Sequence, residues 1–213
     1  YMARFIGIDL IANGNFFFTV DGKAGRAHHN LSNLAADLRP FLTINGQPLV
    51  QVDISNSQPL FLHLTICRAG GATPGEVERM GELVTTGTFY DALKPEGQER
   101  EQFKKEVFRD LLFGPGTYST PATENFQLLF PSYADQIALL KKPHYSNLAI
   151  ALQAAEADVI FKAVERFADN TNHTAPILTI HDSLVTVPAF IHEAQRSLNE
   201  VFQSVHGMTP PLK

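Results

Sequence analysis

The sequence has few of the features that mark secreted or membrane proteins. It contains one cysteine, Cys67, so an internal disulfide is excluded and a zinc site would lack thiolate partners. It has no run of about 18 apolar residues and no basic, apolar leader, so we expect neither a membrane span nor a secretory signal. We therefore expect a soluble, cytoplasmic protein with Cys67 in its core.

Excess positive charge is also missing. The formal net charge is -5 at pH 7, which weighs against a protein that binds phosphates with its whole surface, because such binding relies on Lys and Arg displacing counterions. Basic residues are concentrated at residues 100–109 and at Lys141 and Lys142. This distribution is compatible with a local site for nucleic acid or a nucleotide.

Repeats, low-complexity tracts and a clear linker are absent as well. With 213 residues and a hydrophobic fraction of 44%, the chain can bury a sizeable core. Alternating apolar residues predict strands over residues 15–21 and 48–55 and a hairpin over residues 176–188. Helical periodicity predicts helices over residues 58–68, 95–114, 147–168 and 191–205.

These elements predict an α/β or α+β fold in which strands far apart in sequence meet in one sheet. The aromatic run Phe16–Phe18 is expected to lie in the core of that sheet. The neighbouring pair Phe89 and Tyr90 is likewise expected in the core.

Two aspartates stand at the ends of strand patterns. Asp53 closes the first pattern, and Asp182 lies at the tip of the hairpin. Two carboxylates about 4 Å apart repel by about 4 kcal/mol at an effective dielectric constant near 20, so both stay ionised only with cations between them. Phosphoryl transfer uses such a pair to hold magnesium. Turn capping by each aspartate is the alternative.

Lys105 lies between these aspartates in sequence, on a basic helix. A lysine there suits the binding of a triphosphate, because catalysis of phosphoryl transfer consists largely of positioning and charge stabilisation. A solvated charged face of the helix is the alternative for Lys104 and Arg100.

Five segments, in this order, resemble the motifs of family A DNA polymerases and of the phage-type single-subunit RNA polymerases that share their palm. They are GRAHHNLSNL from Gly25, LVQVDISNSQPLFLHLTI from Leu49, KEVFRDLLFG from Lys105, NLAIALQAAEADVIFKAV from Asn147 and LTIHDSLVTVP from Leu178. The resemblance spans residues 25–188. It implies an α+β fold in which a palm, made of an antiparallel sheet with flanking helices, is interrupted by a helical fingers subdomain.

The resemblance also implies an organisation of the chain. Residues 1–69 and 143–213 would form the palm, and residues 70–142 a fingers-like helical insertion. Neither a thumb nor an exonuclease domain is visible in the sequence. A fragment of a longer protein, a minimal polymerase, and a partner subunit that supplies the thumb or processivity function are the alternatives.

Particular residues acquire roles through the resemblance. Asp53 and Asp182 would be catalytic and, with the backbone carbonyl of Ile54, would hold two Mg²⁺ ions, with Mn²⁺ as a substitute. The residues that would bind the nucleotide are Lys105, Phe113, Gly114, Gln58, Arg100 and Arg109. The residues that would bind the primer-template are Arg26, Asn30, Gln153 and His181. The implied reaction is template-directed addition of a dNTP to the 3′-hydroxyl of a primer on DNA.

Several positions depart from the family pattern. Glu101 stands where the third segment normally has an arginine. Gln58 and Ser183 replace glutamates of the DNA polymerases, and serine at position 183 matches the single-subunit RNA polymerases. Phe113 favours deoxynucleotides, because it has no hydroxyl with which to recognise a ribose. An rNTP substrate stays open, as does a catalytically degenerate palm that binds nucleic acid or protein.

Overall fold

The structure is a computed structural model that describes residues 2–213, with side chains from Arg4 onward. It divides into two compact units. Unit 1 comprises the chain up to Ile54 together with Glu156–Lys213, and unit 2 comprises Ser55–Ala155. The predicted division into residues 1–69, 70–142 and 143–213 stays a prediction. No helix within residues 2–213 is both long and apolar enough to cross a lipid bilayer.

Unit 1 combines helices with short strands, whereas the named elements of unit 2 are all helices. Unit 1 begins with α1 (Met2–Ala12), β1 (Phe18–Val20), β2 (Ala27–His29), α2 (Asn30–Asn33), a 3₁₀ helix (Ala36–Phe41), β3 (Thr43–Ile44), β4 (Gln47–Pro48) and β5 (Val50–Asp53). Unit 2 contains α3 (Ser57–Ala69), α4 (Pro74–Thr86), α5 (Phe89–Leu93), α6 (Arg100–Glu106), a π-helix (Val107–Leu112), α7 (Pro121–Leu129), α8 (Pro131–Leu140) and the first part of α9 (Ser146–Asn170). Unit 1 resumes with the rest of α9, then β6 (Leu178–Ile180), β7 (Ser183–Thr186), a 3₁₀ helix (Pro188–Phe190) and α10 (Ile191–His206).

The sheet that positions the candidate site is antiparallel and has the strand order β5-β7-β6. Val52 pairs with Leu184, and Asp53 pairs with Ser183. Val52 is buried while its neighbour Gln51 is exposed, which is the alternation expected of a strand with one face on a core. The strands that meet here are far apart in sequence, as predicted, and the mixture of helix and antiparallel sheet agrees with an α+β fold.

The predicted helix over residues 95–114 is interrupted in the structure. α6 ends at Glu106 and a π-helix follows, in which the N–H of Phe113 donates to the carbonyl of Phe108 at 2.9 Å. A reading based on 3.6 residues per turn cannot reveal such a segment, because its hydrogen bonds reach five residues back instead of four. Segments of this kind are rare and occur often at functional sites.

Each unit has its own core. In unit 1, Leu31 packs with Ile180 of β6 and Val185 of β7. In unit 2, aromatic rings form a chain of contacts, with centroids 5.5–6.3 Å apart at successive steps. These rings belong to Phe89, Phe126, Phe130 and Tyr133. The prediction that Phe89 and Tyr90 are core residues is confirmed, since both are at most 1% exposed.

Two predictions about burial are wrong. Phe16, Phe17 and Phe18 are 74%, 37% and 63% exposed, because β1 pairs with β2 in a separate two-stranded sheet instead of joining the central one. Cys67 is also exposed. It belongs to the last turn of α3, beyond the buried residue Ile66. A run of apolar residues indicates a buried segment but does not show where the burial ends.

Candidate active site

Of the two predicted catalytic aspartates, Asp53 ends strand β5 in the central sheet of unit 1, and Asp182 lies in the turn that leads into the adjacent strand β7. Asp53 is the last residue of β5 and pairs with Ser183, the first residue of β7. One step further along, the N–H of Ile54 donates to the carbonyl of Asp182 at 3.3 Å. The backbone therefore places Asp182 and Asp53 at the same end of the sheet.

Both carboxylate oxygens of Asp53 have partners. Oδ1 accepts a hydrogen bond of 2.5 Å from the hydroxyl of Ser183, and Oδ2 lies 3.0 Å from Nζ of Lys213. The side chain of Asp53 is 19% exposed. These two interactions hold the carboxylate of Asp53 in one orientation, and one of its two partners is the positively charged ammonium of Lys213.

The turn between β6 and β7 consists of His181 and Asp182. His181 has φ of +51°, a conformation that is uncommon for a residue other than glycine and that clusters at functional sites. His181 is exposed as a residue, but the protein atoms around its ring lower its pKa, and the charge of Arg26 lowers this pKa further. Arg39 and His28 act in the same direction, while Asp182 opposes them. The lowered pKa of His181 favours the neutral form of its ring.

Arg26 is anchored by a residue that sequence reasoning missed. Its Nη2 donates to Oε1 of Glu156 at 2.5 Å, and Glu156, on α9, is 1% exposed. These residues are 130 positions apart in sequence, so no local pattern could have revealed the pair. The pair aligns the guanidinium and neutralises the buried carboxylate of Glu156.

Asp21 organises the loop that carries Arg26, and it too was missed. Its Oδ1 accepts the N–H groups of Lys23 and Ala24 at 2.9 and 2.7 Å, and its Oδ2 accepts that of Arg26 at 2.9 Å. These bonds, that from Ala24 first, lower the pKa of Asp21 to about 2. The signal available in the sequence was an Asp before Gly22 in a turn, since Asp commonly bonds to the backbone just after it.

We predict that the order of this loop is lost at acidic pH. Because the pKa of Asp21 is lower in the folded protein, its contribution to stability is complete above the ordinary value of 3.8 and disappears as the pH falls toward 2. NMR titration should show the carboxyl of Asp21 and the amide of Ala24 changing together, with a midpoint near 2. A midpoint near 3.8 would contradict the hydrogen bonding.

Asn30 is engaged within the protein. Its Oδ1 accepts the N–H of Phe17 at 2.9 Å, and its Nδ2 donates to the carbonyl of Asn15 at 3.0 Å. The side-chain amide thus ties the start of α2 to the chain that enters β1. The predicted role of Asn30 in binding the primer-template stays a prediction.

Unit 2 brings together three of the predicted nucleotide-binding residues. Lys105, Arg109 and Phe113 line one open cleft of about 470 Å³. The rings of Phe108 and Phe113 meet edge to face, with centroids 5.3 Å apart, and form its apolar part. The cleft thus combines basic side chains with an aromatic surface, a combination that suits a nucleotide.

The two predicted arginines of unit 2 have acidic partners. Arg109 makes a forked interaction with Asp110, at 2.6 Å for each of two hydrogen bonds, and these bonds lower the pKa of Asp110. Arg100 lies 3.2 Å from Asp91 and 5.4 Å above the ring of Tyr90, and it is not among the residues that line the cleft. Lys105 has no such acidic partner among the ion pairs of the described residues.

The remaining predicted residues of unit 2 have different environments. Gly114 follows Phe113, and a side chain there would overlap the carbonyl oxygen of Arg109, so the position requires glycine. Gln58 lies in the first turn of α3 and is 5% exposed, and Gln153 is partly buried on α9.

The residues around Asp53 fit magnesium. Residues 2–213 contain no group of three or more His, Cys, Asp or Glu side chains that could hold a metal ion. Magnesium does not require one, because it is usually bound by one or two carboxylates with water and substrate phosphates as the other ligands. The ion pair with the ammonium of Lys213 shows that the carboxylate of Asp53 attracts positive charge.

Comparison with known proteins reveals a likeness of fold. No protein-family model matches the sequence, and no curated protein matches it significantly. The structure is similar to the POL domain of Pol1 from M. smegmatis, solved in complex with DNA primer-template and dNTP, with a TM-score of 0.60 at 16% identity. The match covers 98% of this chain and 49% of that one, so this chain spans about half the length of its neighbour. The protein has a DNA-polymerase-like fold.

Proposed function

We propose that the protein is a template-directed nucleotidyltransferase of the family A DNA polymerase type, which adds nucleotides to the 3′-hydroxyl of a primer with two magnesium ions. The observation that carries the proposal is the backbone hydrogen bond from the N–H of Ile54, the residue after Asp53, to the carbonyl of Asp182. The likeness of fold to a DNA polymerase domain supports it. We further propose that unit 1 corresponds to a palm and unit 2 to helical fingers.

In unit 1, we assign the metal ligands to the carboxylates of Asp53 and Asp182 and the backbone carbonyl of Ile54. Bound magnesium would activate the 3′-hydroxyl and stabilise the charge of the departing pyrophosphate. Ser183 holds the Asp53 carboxylate in place through its hydrogen bond to Oδ1. This bond gives the serine a role that does not depend on which sugar is used.

We assign contacts with the primer-template to four residues. They are Arg26, Asn30, Gln153 and His181. A neutral imidazole at His181 can donate one hydrogen bond and accept another, which suits contacts with the sugars and base edges of a nucleic-acid strand. Arg26 combines a guanidinium with a rigid anchor, Glu156.

In unit 2, the cleft around Lys105 supports binding of the triphosphate. Lys105 supplies a compact positive charge for phosphate oxygens, and Phe113 offers its ring to the base. Gln58 would act with Phe113 in shaping the nascent base pair. Gly114, Arg100 and Arg109 would support this arrangement, with Arg109 held by Asp110.

A second candidate function is a catalytically inactive palm that binds nucleic acid. One observation favours it. The ammonium of Lys213 already neutralises Asp53, as expected if a lysine had permanently replaced the metal. An RNA product is a further alternative, because Gln58 can hydrogen-bond a ribose hydroxyl.

Primer extension tests the proposal. We expect the wild-type protein, given a DNA primer-template and magnesium, to extend the primer with dNTPs, and the Asp182→Ala variant to be inactive under the same conditions. Extension with rNTPs alone would assign the RNA polymerase function. If the protein binds the primer-template but extends it with neither dNTPs nor rNTPs, the result would support the catalytically inactive palm.

A further inference from the structure

The segment at residues 212 and 213 adds to the free edge of β5. The N–H of Asp53 donates to the carbonyl of Lys213 at 2.9 Å, and the N–H of Lys213 donates to the carbonyl of Asp53 at 3.0 Å. Leu212 forms an antiparallel bridge with Ile54. The backbone of Lys213 is therefore fixed beside a predicted metal ligand, and its side chain needs little ordering to reach Asp53.

This ion pair differs from an ordinary surface pair in the same unit. Lys162 and Asp158 lie on α9 four residues apart, 2.7 Å from each other, with both side chains nearly half exposed. The side chain of Asp53 is only 19% exposed, and the backbone of Lys213 is fixed by two hydrogen bonds to the backbone of Asp53. An electrostatic interaction is stronger where water is partly excluded and the partners are pre-positioned.

The position of the ammonium conflicts with that of a metal ion. Nζ of Lys213 lies 3.0 Å from Oδ2 of Asp53, while the hydroxyl of Ser183 engages Oδ1. An oxygen can accept the serine hydrogen bond and also coordinate a metal, but a divalent cation at Oδ2 would be repelled by the ammonium. The lysine side chain is 63% exposed, so it can turn into solvent without breaking its backbone hydrogen bonds.

We propose that Lys213 is a resident counter-ion of Asp53 that competes with divalent metal and so sets the metal affinity of the site. The inference rests on the proposed function, which makes Asp53 a metal ligand. Before metal binds, Lys213 neutralises the carboxylate and holds the edge of the sheet. When metal binds, the ammonium leaves Oδ2 while residues 212 and 213 stay paired with β5.

Metal titration of the full chain tests the inference without measuring catalysis. Free Mn²⁺ would be followed by electron paramagnetic resonance for the wild type and for four variants. These are Lys213→Gln, Lys213→Arg, Lys162→Gln and Asp53→Asn. We expect Lys213→Gln to bind Mn²⁺ about 3- to 10-fold more tightly than the wild type, because the competing charge is removed. Lys213→Arg should bind close to the wild type.

The remaining variants act as controls. Lys162→Gln removes the same charge from a surface pair and should leave the affinity unchanged, which separates a local effect from one of net charge. A second readout is the melting temperature, because a ligand that binds only the folded state raises the free energy of unfolding by RT ln(1 + [L]/Kd). Without metal, Lys213→Gln should have a lower melting temperature than the wild type. The same concentration of metal should raise the melting temperature of Lys213→Gln by more than it raises that of the wild type.

The outcomes distinguish an error in the assignment of Asp53 as a metal ligand from an error in the role of Lys213. If Asp53→Asn binds Mn²⁺ as well as the wild type, Asp53 is not a ligand, and the proposed function fails together with this inference. If Asp53→Asn loses binding but Lys213→Gln equals the wild type or binds more weakly, only the role of Lys213 is overturned. Lys213→Met gives the same comparison should the glutamine variant fail to fold.

Discussion

The Asp53→Asn variant is expected to extend primers about a thousandfold more slowly than the wild type, at any magnesium concentration. The asparagine keeps the shape of the side chain and still accepts the hydrogen bond from Ser183, but it has no charge to offer a metal ion. Loss of one group that stabilises charge in the transition state costs about 10²- to 10³-fold, and loss of a metal ligand costs at least as much. Single-turnover extension of a labelled primer measures the effect.

The chain offers a closely matched control for this variant. Asp158 also has a lysine partner, Lys162 at 2.7 Å, so Asp158→Asn removes the same charge and also strands a lysine. It should extend primers at the rate of the wild type. The fold of Asp53→Asn should be retained, because β5 pairs with β7 through backbone groups. Extension by Asp53→Asn at the wild-type rate would refute the catalytic assignment.

The second large effect is expected in stability. Replacing Glu156 by alanine should lower the free energy of unfolding by about 3–5 kcal/mol, because the guanidinium of Arg26 would stay largely buried without its anionic partner. Its Nε is buried and has no hydrogen-bond partner among the described residues, so the loss of Glu156 is not readily compensated. Urea unfolding followed by circular dichroism measures the change.

Two variants define the origin of that effect. Glu156→Gln keeps an acceptor for Nη2 and should lose only about 1–2 kcal/mol, since a neutral hydrogen bond replaces one between charges. Glu165→Ala changes an exposed glutamate of the same helix and should stay within about 0.5 kcal/mol of the wild type. Equal stability of Glu156→Ala and Glu165→Ala would show that the ion pair contributes nothing.

Sequence patterns predicted the elements that depend on local periodicity. Residues 147–168 have apolar positions at helical spacing, and α9 spans Ser146–Asn170. The hairpin at residues 176–188 was recognised from two β-rich runs with a short polar break, and it forms β6 and β7. Motif order then placed Asp53 and Asp182, and the antiparallel pairing brings their backbones together. The helix and the hairpin are each encoded within a short stretch of sequence, whereas the two partners of the β5–β7 pairing lie 130 positions apart at Asp53 and Ser183.

The features that were missed depend on tertiary structure. Neither the pairing of Lys213 with Asp53 nor that of Glu156 with Arg26 leaves a trace in local composition, because the partners are more than a hundred positions apart. The exposure of Phe18 depends on which sheet β1 joins, and hydrophobicity does not decide this. The π-helix after Glu106 lies outside the period of 3.6 residues per turn on which the helix prediction was based.

The turn between β6 and β7 has only two residues, and this shortness sets a limit on tolerated insertions. Side chains along a strand alternate between the two faces of the sheet. If β7 slipped by one residue against β5, the side chain of Ser183 would point to the opposite face and could no longer bond to Asp53. A deletion or insertion beside His181 should therefore be far more harmful than most substitutions there. Homologues with widely differing side chains are expected to keep this turn at constant length.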